Sequence, residues 1–430
     1  MKLILKKIVV AILQFESKLV LKKYKPKIVA VTGSVGKTST KDCLYIALSA
    51  FFHVRKTHKS YNSDIGIPLT VLGCQNGWAD ASVWFKNILI GAKLILFKKK
   101  YPEVLILEIG ADRPDDIYKI MQWIKPDVSV LTRIGKVPVH VEFYKSVGEV
   151  VKEKSWLVKY LKKDGLLVLN ADDEDILNMR KLTTAKCLTY GIENEANIRG
   201  TFISPLYKDG EGVYGMSLKA DIEGNSIPVL VKGAIGNQHA YPILASLAVL
   251  SGLGKNLVDG ANAFSKYNPP EGRMRILEGI NNSKIIDDTY NASPVAMEEG
   301  LKIFGTLEAT GKKIAILGDM LELGRYSLSE HERIGEIASK AVDVIIATGL
   351  RSKDLGESAI DAGLNRKNVY FAEEAEEAGK IAETLIKNGD LVYAKGSQGM
   401  RLERALKMIL RDKETARDVL VRQEKEWLRR

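Results

Sequence analysis

The sequence predicts an α/β protein, with a central P-loop-type parallel-sheet domain followed by a smaller Rossmann-like C-terminal domain. Three observations carry that expectation. Residues 28–39 read as an apolar strand, a glycine turn and the start of a helix. Apolar strands then alternate with helical patterns, as in a parallel sheet covered on both faces. After Asn268-Pro-Pro-Glu-Gly-Arg273 the alternation begins again, and prolines with a glycine before a new strand suit a hinge.

The elements follow in order. Residues 1–25 are predicted as a basic amphipathic helix. Lys7, Gln14, Lys18 and Lys22 fall on one face, with Leu5, Ile8, Ile12, Phe15 and Leu19 opposite. Its longest unbroken apolar run, Ile8 to Leu13, is too short to span a bilayer. No small-residue cleavage site follows, so a secretory leader is not expected. The central domain is placed at 26–270, with strands at 28–32, 104–109 (holding Glu108), 128–132 and 166–170. Residues 198–232 alternate short runs with glycine turns and suggest an antiparallel flap. His239 to Leu253 reads as a helix. The C-terminal domain, 271–430, takes strands at 284–287, 313–317, 344–348, 369–371 and 391–394.

The net charge is +11, and its location is informative. Residues 1–27 hold eight lysines and one acid, Glu16, while 81–100 hold five lysines and no acid. These two segments account for the whole excess, so the rest of the chain is close to neutral. Both are apolar as well as basic. In the second, Lys86, Lys93 and Lys100 recur every seven residues against Trp84, Phe85, Ile88, Leu89, Ile95 and Leu96. Such helices can lie at an anionic membrane surface, or pack on the body with their lysines solvated. Nucleic acid is not expected as a partner, because aromatic stacking residues are not interleaved with the lysines. Cys43, Cys74 and Cys187 lack metal spacing and suit a reducing cytoplasm.

The chemistry begins at Thr32-Gly33-Ser34-Val35-Gly36-Lys37-Thr38-Ser39. Glycines let backbone N–H groups close on phosphates, and the helix start adds positive potential. Lys37 would reach the β- and γ-phosphates of ATP, and Thr38 would ligate Mg²⁺. The standard loop has a glycine where this chain has Val31, so the loop is a short form.

That short loop resembles the one in the Mur ligase family of amide-forming ATP ligases. The likeness runs from about residue 26 to about 410. It is carried by 32–38, by Ser60-Tyr-Asn-Ser-Asp-Ile-Gly-Ile-Pro-Leu-Thr70 and by Glu108-Ile-Gly-Ala. Asp287-Asp-Thr-Tyr-Asn-Ala-Ser-Pro294, Leu317-Gly-Asp-Met-Leu-Glu-Leu-Gly324 and Lys395-Gly-Ser397 complete it. Within the family, the C-terminal segments resemble the branch that adds D-alanyl-D-alanine to a nucleotide-sugar peptide, a UDP-N-acetylmuramoyl-tripeptide.

The resemblance implies ATP and Mg²⁺ as cofactors and an acyl-phosphate route to an amide, with release of ADP. It implies that Glu108 and His140 hold metal, with Thr38. It aligns Lys154 with a lysine that several members carry as a carbamate, a further metal ligand; a surface lysine is the alternative there. Arg273 resembles an arginine that reaches the phosphates when domains close. Asp288, Tyr290 and Asn291 would face the nucleotide or incoming substrate, or else serve as turn and capping residues. His239 lies near the family's nucleotide-contacting asparagine, and Pro242 replaces a second asparagine on that helix.

The chain departs from the family at its start. Usual members carry a nucleotide-sugar domain before the loop, and some thirty residues cannot make one. The expected enzyme is a cytoplasmic cell-wall ligase, either free or peripheral at the inner face of the membrane. The alternatives are a sister ligase with a folyl-polyglutamate-like or lipid-linked acceptor, and a non-catalytic nucleotide-binding membrane scaffold.

Overall fold

The computed structural model describes residues 3–57, 61–77, 80–111, 113–135, 144–424 and 427, with side chains from residue 8 onward. Nine strands make the first sheet: β1 (Lys27–Thr32), β2 (Val54–Lys56), β3 (Val104–Glu108), β4 (Val128–Leu131), β5 (Leu166–Asn170), β6 (Lys186–Gly191), β7 (Ile198–Lys208), β8 (Gly212–Ile222) and β9 (Asn225–Lys232). Their order is β2-β3-β1-β4-β5-β6-β7-β8-β9. Pairing is parallel as far as β7 and antiparallel from β7 to β9. The stretch expected as a flap is thus the antiparallel edge of the main sheet.

β1 lies between β3 and β4, with the chain leaving it for β2 and β3 on one side and returning to β4 on the other. Ligands of open α/β sheets gather at the carboxyl ends of the strands at such a switch point. Alternate residues of β1 enter opposite cores, as the two-residue period of a strand requires. Val29 and Val31 meet α2 (Lys37–Ser49), while Ile28 and Ala30 face α1 (Leu3–Tyr24) and α3 (Gly66–Leu72).

The remaining helices of this region are α4 (Ala81–Leu96), α5 (Asp116–Met121), α6 (Val147–Lys159), α7 (Glu174–Asn178), α8 (Asn237–Gly252) and α9 (Leu257–Ala263). Among the described residues no helix is long and apolar enough to cross a membrane.

Helix α1 corrects one expectation. Its buried stripe is Val9, Leu13, Ser17 and Val20, and the apolar face anticipated from the sequence, with Ile8, Ile12 and Phe15, is exposed. Apolar residues occupy most of this helix's circumference. Packing against α3 and α4, which periodicity alone does not reveal, selects which side is covered.

The second sheet holds β10 (Arg275–Glu278), β11 (Lys284–Asp287), β12 (Lys313–Gly318), β13 (Val344–Thr348), β14 (Val369–Ala372) and β15 (Leu391–Lys395), in the order β10-β11-β15-β12-β13-β14. Only β10 is antiparallel to its neighbour. The last strand sits centrally, which brings Lys395 beside the end of β11. Helices α10 (Pro294–Thr306), α11 (Ser327–Ala341), α12 (Ser352–Asp361), α13 (Ala375–Leu385), α14 (Glu403–Ile409) and the short α15 (Ala416–Val419) belong to this region. Ser293 caps α10 by accepting the Ala296 N–H, and Pro294 occupies the first turn, where no donor is needed.

Candidate active site

A cleft of about 370 Å³ lies between the two sheets, lined from both sides. Its floor is the loop after β1. Gly36, at φ 85°, turns the chain into α2, and no side chain caps that helix, so its first N–H groups point into the cleft. Gly33 sits behind the loop at φ 150°, where a Cβ would come within 1.9 Å of the Thr132 hydroxyl. The loop is braced on the end of β4: Ser34 and Val35 donate N–H bonds to the Arg133 carbonyl at 2.6 and 3.1 Å, and Thr132 donates to the Val35 carbonyl at 2.6 Å. The Lys37 ammonium lies across the loop, 2.8 Å from the Gly33 carbonyl and 3.2 Å from that of Ser34.

Glu108 ends β3 directly beside this loop. Thr38 donates its hydroxyl to Glu108 Oε1 at 3.0 Å. Glu108 Oε2 is buried without a hydrogen bond, and the buried Lys41 ammonium stands 3.5 Å away. An orphaned carboxylate oxygen next to a loop hydroxyl fits a Mg²⁺ ion, which binds through one or two protein oxygens plus substrate phosphates and water. Among the described residues no cluster of three or more His, Cys, Asp or Glu could hold a metal. Thr38 and Glu108 fit that role together with a triphosphate.

The opposite wall comes from the segment before β10 and from the second sheet. The Arg273 guanidinium stacks on Tyr290 at 4.0 Å from the ring centroid, with its Nε buried and unbonded. Behind Tyr290, Arg422 donates to the Tyr290 carbonyl and pairs with Glu403 at 2.9 Å. Asp288 and Lys395 form a buried pair at 2.6 Å, and Lys395 also donates to the Asn291 carbonyl at 3.0 Å. Burial lowers the Lys395 ammonium below its usual range. Asp287, one residue earlier, faces away and accepts the Gly272 N–H at 3.0 Å, tying the segment before β10 to β11. Burial raises it to about 6.

The sequence candidates divide by position. Ser34, Gly36, Lys37, Thr38, Ser39, Glu108, Arg273, Asp288, Tyr290 and Asn291 line the cleft. Thr32 does not, because its buried hydroxyl donates to the Ile109 carbonyl at 2.8 Å. His239 does not either. It is fully buried, with Nδ1 2.8 Å from the Tyr267 hydroxyl and Nε2 2.6 Å from the Arg273 carbonyl, so neither ring nitrogen remains for a nucleotide. Lys154 is buried on α6 rather than at the surface, and it is not among the cleft-lining residues. His140 lies outside the described residues.

Sequence reasoning passed over several cleft residues. Gln238 lines the cleft next to His239, and both polar atoms of its amide are buried without a partner. Asn62 abuts Gly110, just past Glu108. Arg133 and Glu299 form an ion pair from the first sheet to α10, across the cleft wall. Only the strand-end position of Arg133 hinted at a role.

Glu299→Gln removes the charge holding α10 against β4, and should increase the radius of gyration in small-angle scattering. It should lower kcat/KM for ATP by about tenfold, the worth of one charged hydrogen bond. His239 is held neutral by burial, which lowers its pKa from 6.5 to about 4. Its stabilisation is complete above pH 6.5 and is lost as pH falls through about 4. The stability gap between wild type and His239→Gln, from urea denaturation, should therefore narrow by roughly 3 kcal/mol over that window.

The Mur ligase middle domain matches residues 31–84 and 85–250, and the Mur ligase glutamate ligase domain matches 272–398. The chain belongs to the Mur ligase family. Relatives in it include the UDP-N-acetylmuramoyl-tripeptide–D-alanyl-D-alanine ligase of Bacillus subtilis, 27% identical over 399 residues, spanning 93% of this chain and 79% of that one. The enzyme of the same name from Escherichia coli is 24% identical over 327 residues, spanning 76% and 65%. The MurF ligase from Thermotoga maritima, solved in complex with ADP, superposes with a TM-score of 0.75 at 27% identity, covering 93% of this chain and 83% of its own. A Mycobacterium tuberculosis folylpolyglutamate synthase, 14% identical with a TM-score of 0.64 over 90% of this chain and 93% of its own, shares the Mur ligase fold.

Proposed function

We propose that this chain is an ATP-dependent, ADP-forming ligase that adds D-alanyl-D-alanine to the peptide carboxylate of a muramoyl-peptide precursor. The observation that carries the reading is the Thr38–Glu108 pair beneath the phosphate loop, facing Arg273, Asp288 and Lys395 across one cleft. A ligase of this kind needs a triphosphate and two organic substrates in one enclosed space, and a cleft between two sheets provides it.

The reaction divides into two displacements. A carboxylate oxygen of the acceptor peptide attacks the γ-phosphorus of ATP, the bond to the β-phosphate oxygen breaks, and ADP leaves. The dipeptide amine then attacks the carbonyl carbon of the acyl phosphate. The tetrahedral intermediate expels inorganic phosphate, and the amine nitrogen gives up one proton.

The N–H groups at the start of α2 would hold the phosphates. Lys37 would exchange its loop carbonyls for β- and γ-phosphate oxygens, countering the charge that spreads over the transferring group. Mg²⁺ bound by Thr38 and Glu108 would supply further positive charge there. Arg273, carried on the hinge, would approach the same oxygens as the sheets close, so that closure completes the site. Asp288 holds Lys395 at the end of β15, where its ammonium would face the acyl phosphate.

The test is phosphate release from Mg-ATP by purified protein, given UDP-N-acetylmuramoyl-tripeptide with and without D-alanyl-D-alanine. Release that needs both substrates supports the proposal. ATP binding without turnover on this pair would sink it and return weight to a different acceptor.

A further inference from the structure

Helices α1 and α4 lie side by side and are locked together. The Lys23 ammonium donates to the carbonyls of Leu94, Ile95 and Phe97 at 2.9, 2.8 and 2.9 Å, satisfying acceptors that the end of α4 leaves open. The Tyr24 hydroxyl reaches two of the same carbonyls at 3.1 Å. Glu16 packs on Gly91, where a Cβ would lie 2.2 Å from its carboxylate. The pair is anchored on α3 and the main sheet through Leu13, Val20 and Trp84.

Each helix nevertheless leaves an apolar stripe uncovered. On α1 it is Ile8, Ile12 and Phe15, the last 62% exposed. On α4 and just beyond it are Phe85, Leu89, Leu96 and Phe97, with Leu96 73% exposed. Isolated exposed apolar residues need no explanation, but seven on two helices packed side by side are more than scatter. Lysines flank them: Lys18 and Lys22 on the open arc of α1, Lys86 and Lys93 on α4, then Lys98, Lys99 and Lys100. The only acid within 1–27 is the buried Glu16, and 81–100 contain none.

We propose that the α1–α4 pair is a docking surface for an anionic phospholipid bilayer, with Phe15, Phe85 and Leu96 entering the headgroup boundary and the lysines meeting lipid phosphates. Charge complementarity selects this occupant. A lysine-rich rim, in which the exposed acid is Asp80 at the capped start of α4, keeps a strong positive excess that suits a negative surface, and large apolar side chains on a basic helix suit the interface plane. Because Lys23 and Tyr24 already hold the two helices together, docking costs little ordering entropy. The inference stands apart from the ligase reading, since it uses no cleft residue.

The experiment is flotation of the full chain with vesicles of equal parts phosphatidylglycerol and phosphatidylcholine, against pure phosphatidylcholine. Wild type should float with the anionic vesicles at low salt, release at high salt, and ignore the neutral ones. Phe15→Ser with Leu96→Ser, and separately Lys18→Gln with Lys22→Gln, should each lower the partition coefficient by about tenfold or more. Binding of a fluorescent ATP analogue, unchanged in both variants, confirms that they are folded. No flotation with anionic vesicles at low salt overturns the proposal, as does flotation that neither double variant reduces. A dimer in sedimentation velocity that the same substitutions dissociate also overturns it, because the stripes would then be a protein interface.

Discussion

Lys37→Ala is expected to lower kcat/KM for phosphate release by about a thousandfold, the loss seen when one preorganised donor to developing charge is removed. The fold should survive. Lys37 is only half-buried, and its ammonium bonds to two carbonyls of its own loop. Steady-state phosphate release and a thermal melt on the same preparation separate the two effects. Equal losses of activity and melting temperature would assign Lys37 to loop stability instead. Lys37→Arg should not restore the rate, because a planar guanidinium does not replace a compact charge in a tight loop.

Asp288→Asn is expected to destabilise the protein by about 3 kcal/mol or more at neutral pH, since it strands a buried ammonium. Lys395 is 2% exposed, and Asp288 is the carboxylate bonded to it, at 2.6 Å. The pH dependence gives the argument a sign. Burial already holds the folded pKa of Lys395 below 10.5. Between the folded value and 10.5 the unfolded chain binds more protons, so stability rises with pH. Without Asp288 the folded pKa falls further and the window widens downward. The variant's deficit should therefore shrink as pH rises toward about 10. Urea denaturation at neutral and alkaline pH checks this, and a deficit independent of pH would mean that packing, not charge, was lost.

Much of the fold was legible because its strands are buried on both faces. β1, β3, β4, β5, β12 and β13 are close to unbroken apolar runs, which is what a covered parallel sheet demands. β2, β6 and β10 were missed for the converse reason. β2 has three half-buried residues, and β6 and β10 are partly exposed and carry charged or polar residues. Their strand character comes from ladder partners distant in sequence.

The cleft divides the same way. Thr38 and Glu108 were readable because a loop between strand and helix and an acid at a strand end are local patterns. Arg133 and Glu299, far apart in the chain, become a pair only when α10 settles against β4. His239 illustrates the opposite error, since its proximity in sequence to a nucleotide-contacting position said nothing about which way the ring would point.

By itself, then, the sequence determined the phosphate loop, the order of the buried strands and the two basic, apolar segments, all of which depend on neighbours within a few residues or on simple periodicity. Only the tertiary structure decided that Gln238 rather than His239 lines the cleft, that Lys395 meets Asp288, and that Ile8, Ile12 and Phe15 are exposed while Val9, Leu13 and Val20 are covered. A helix apolar around most of its girth has no preferred inner face of its own, and the side that is buried is the side to which its neighbours offer complementary surface.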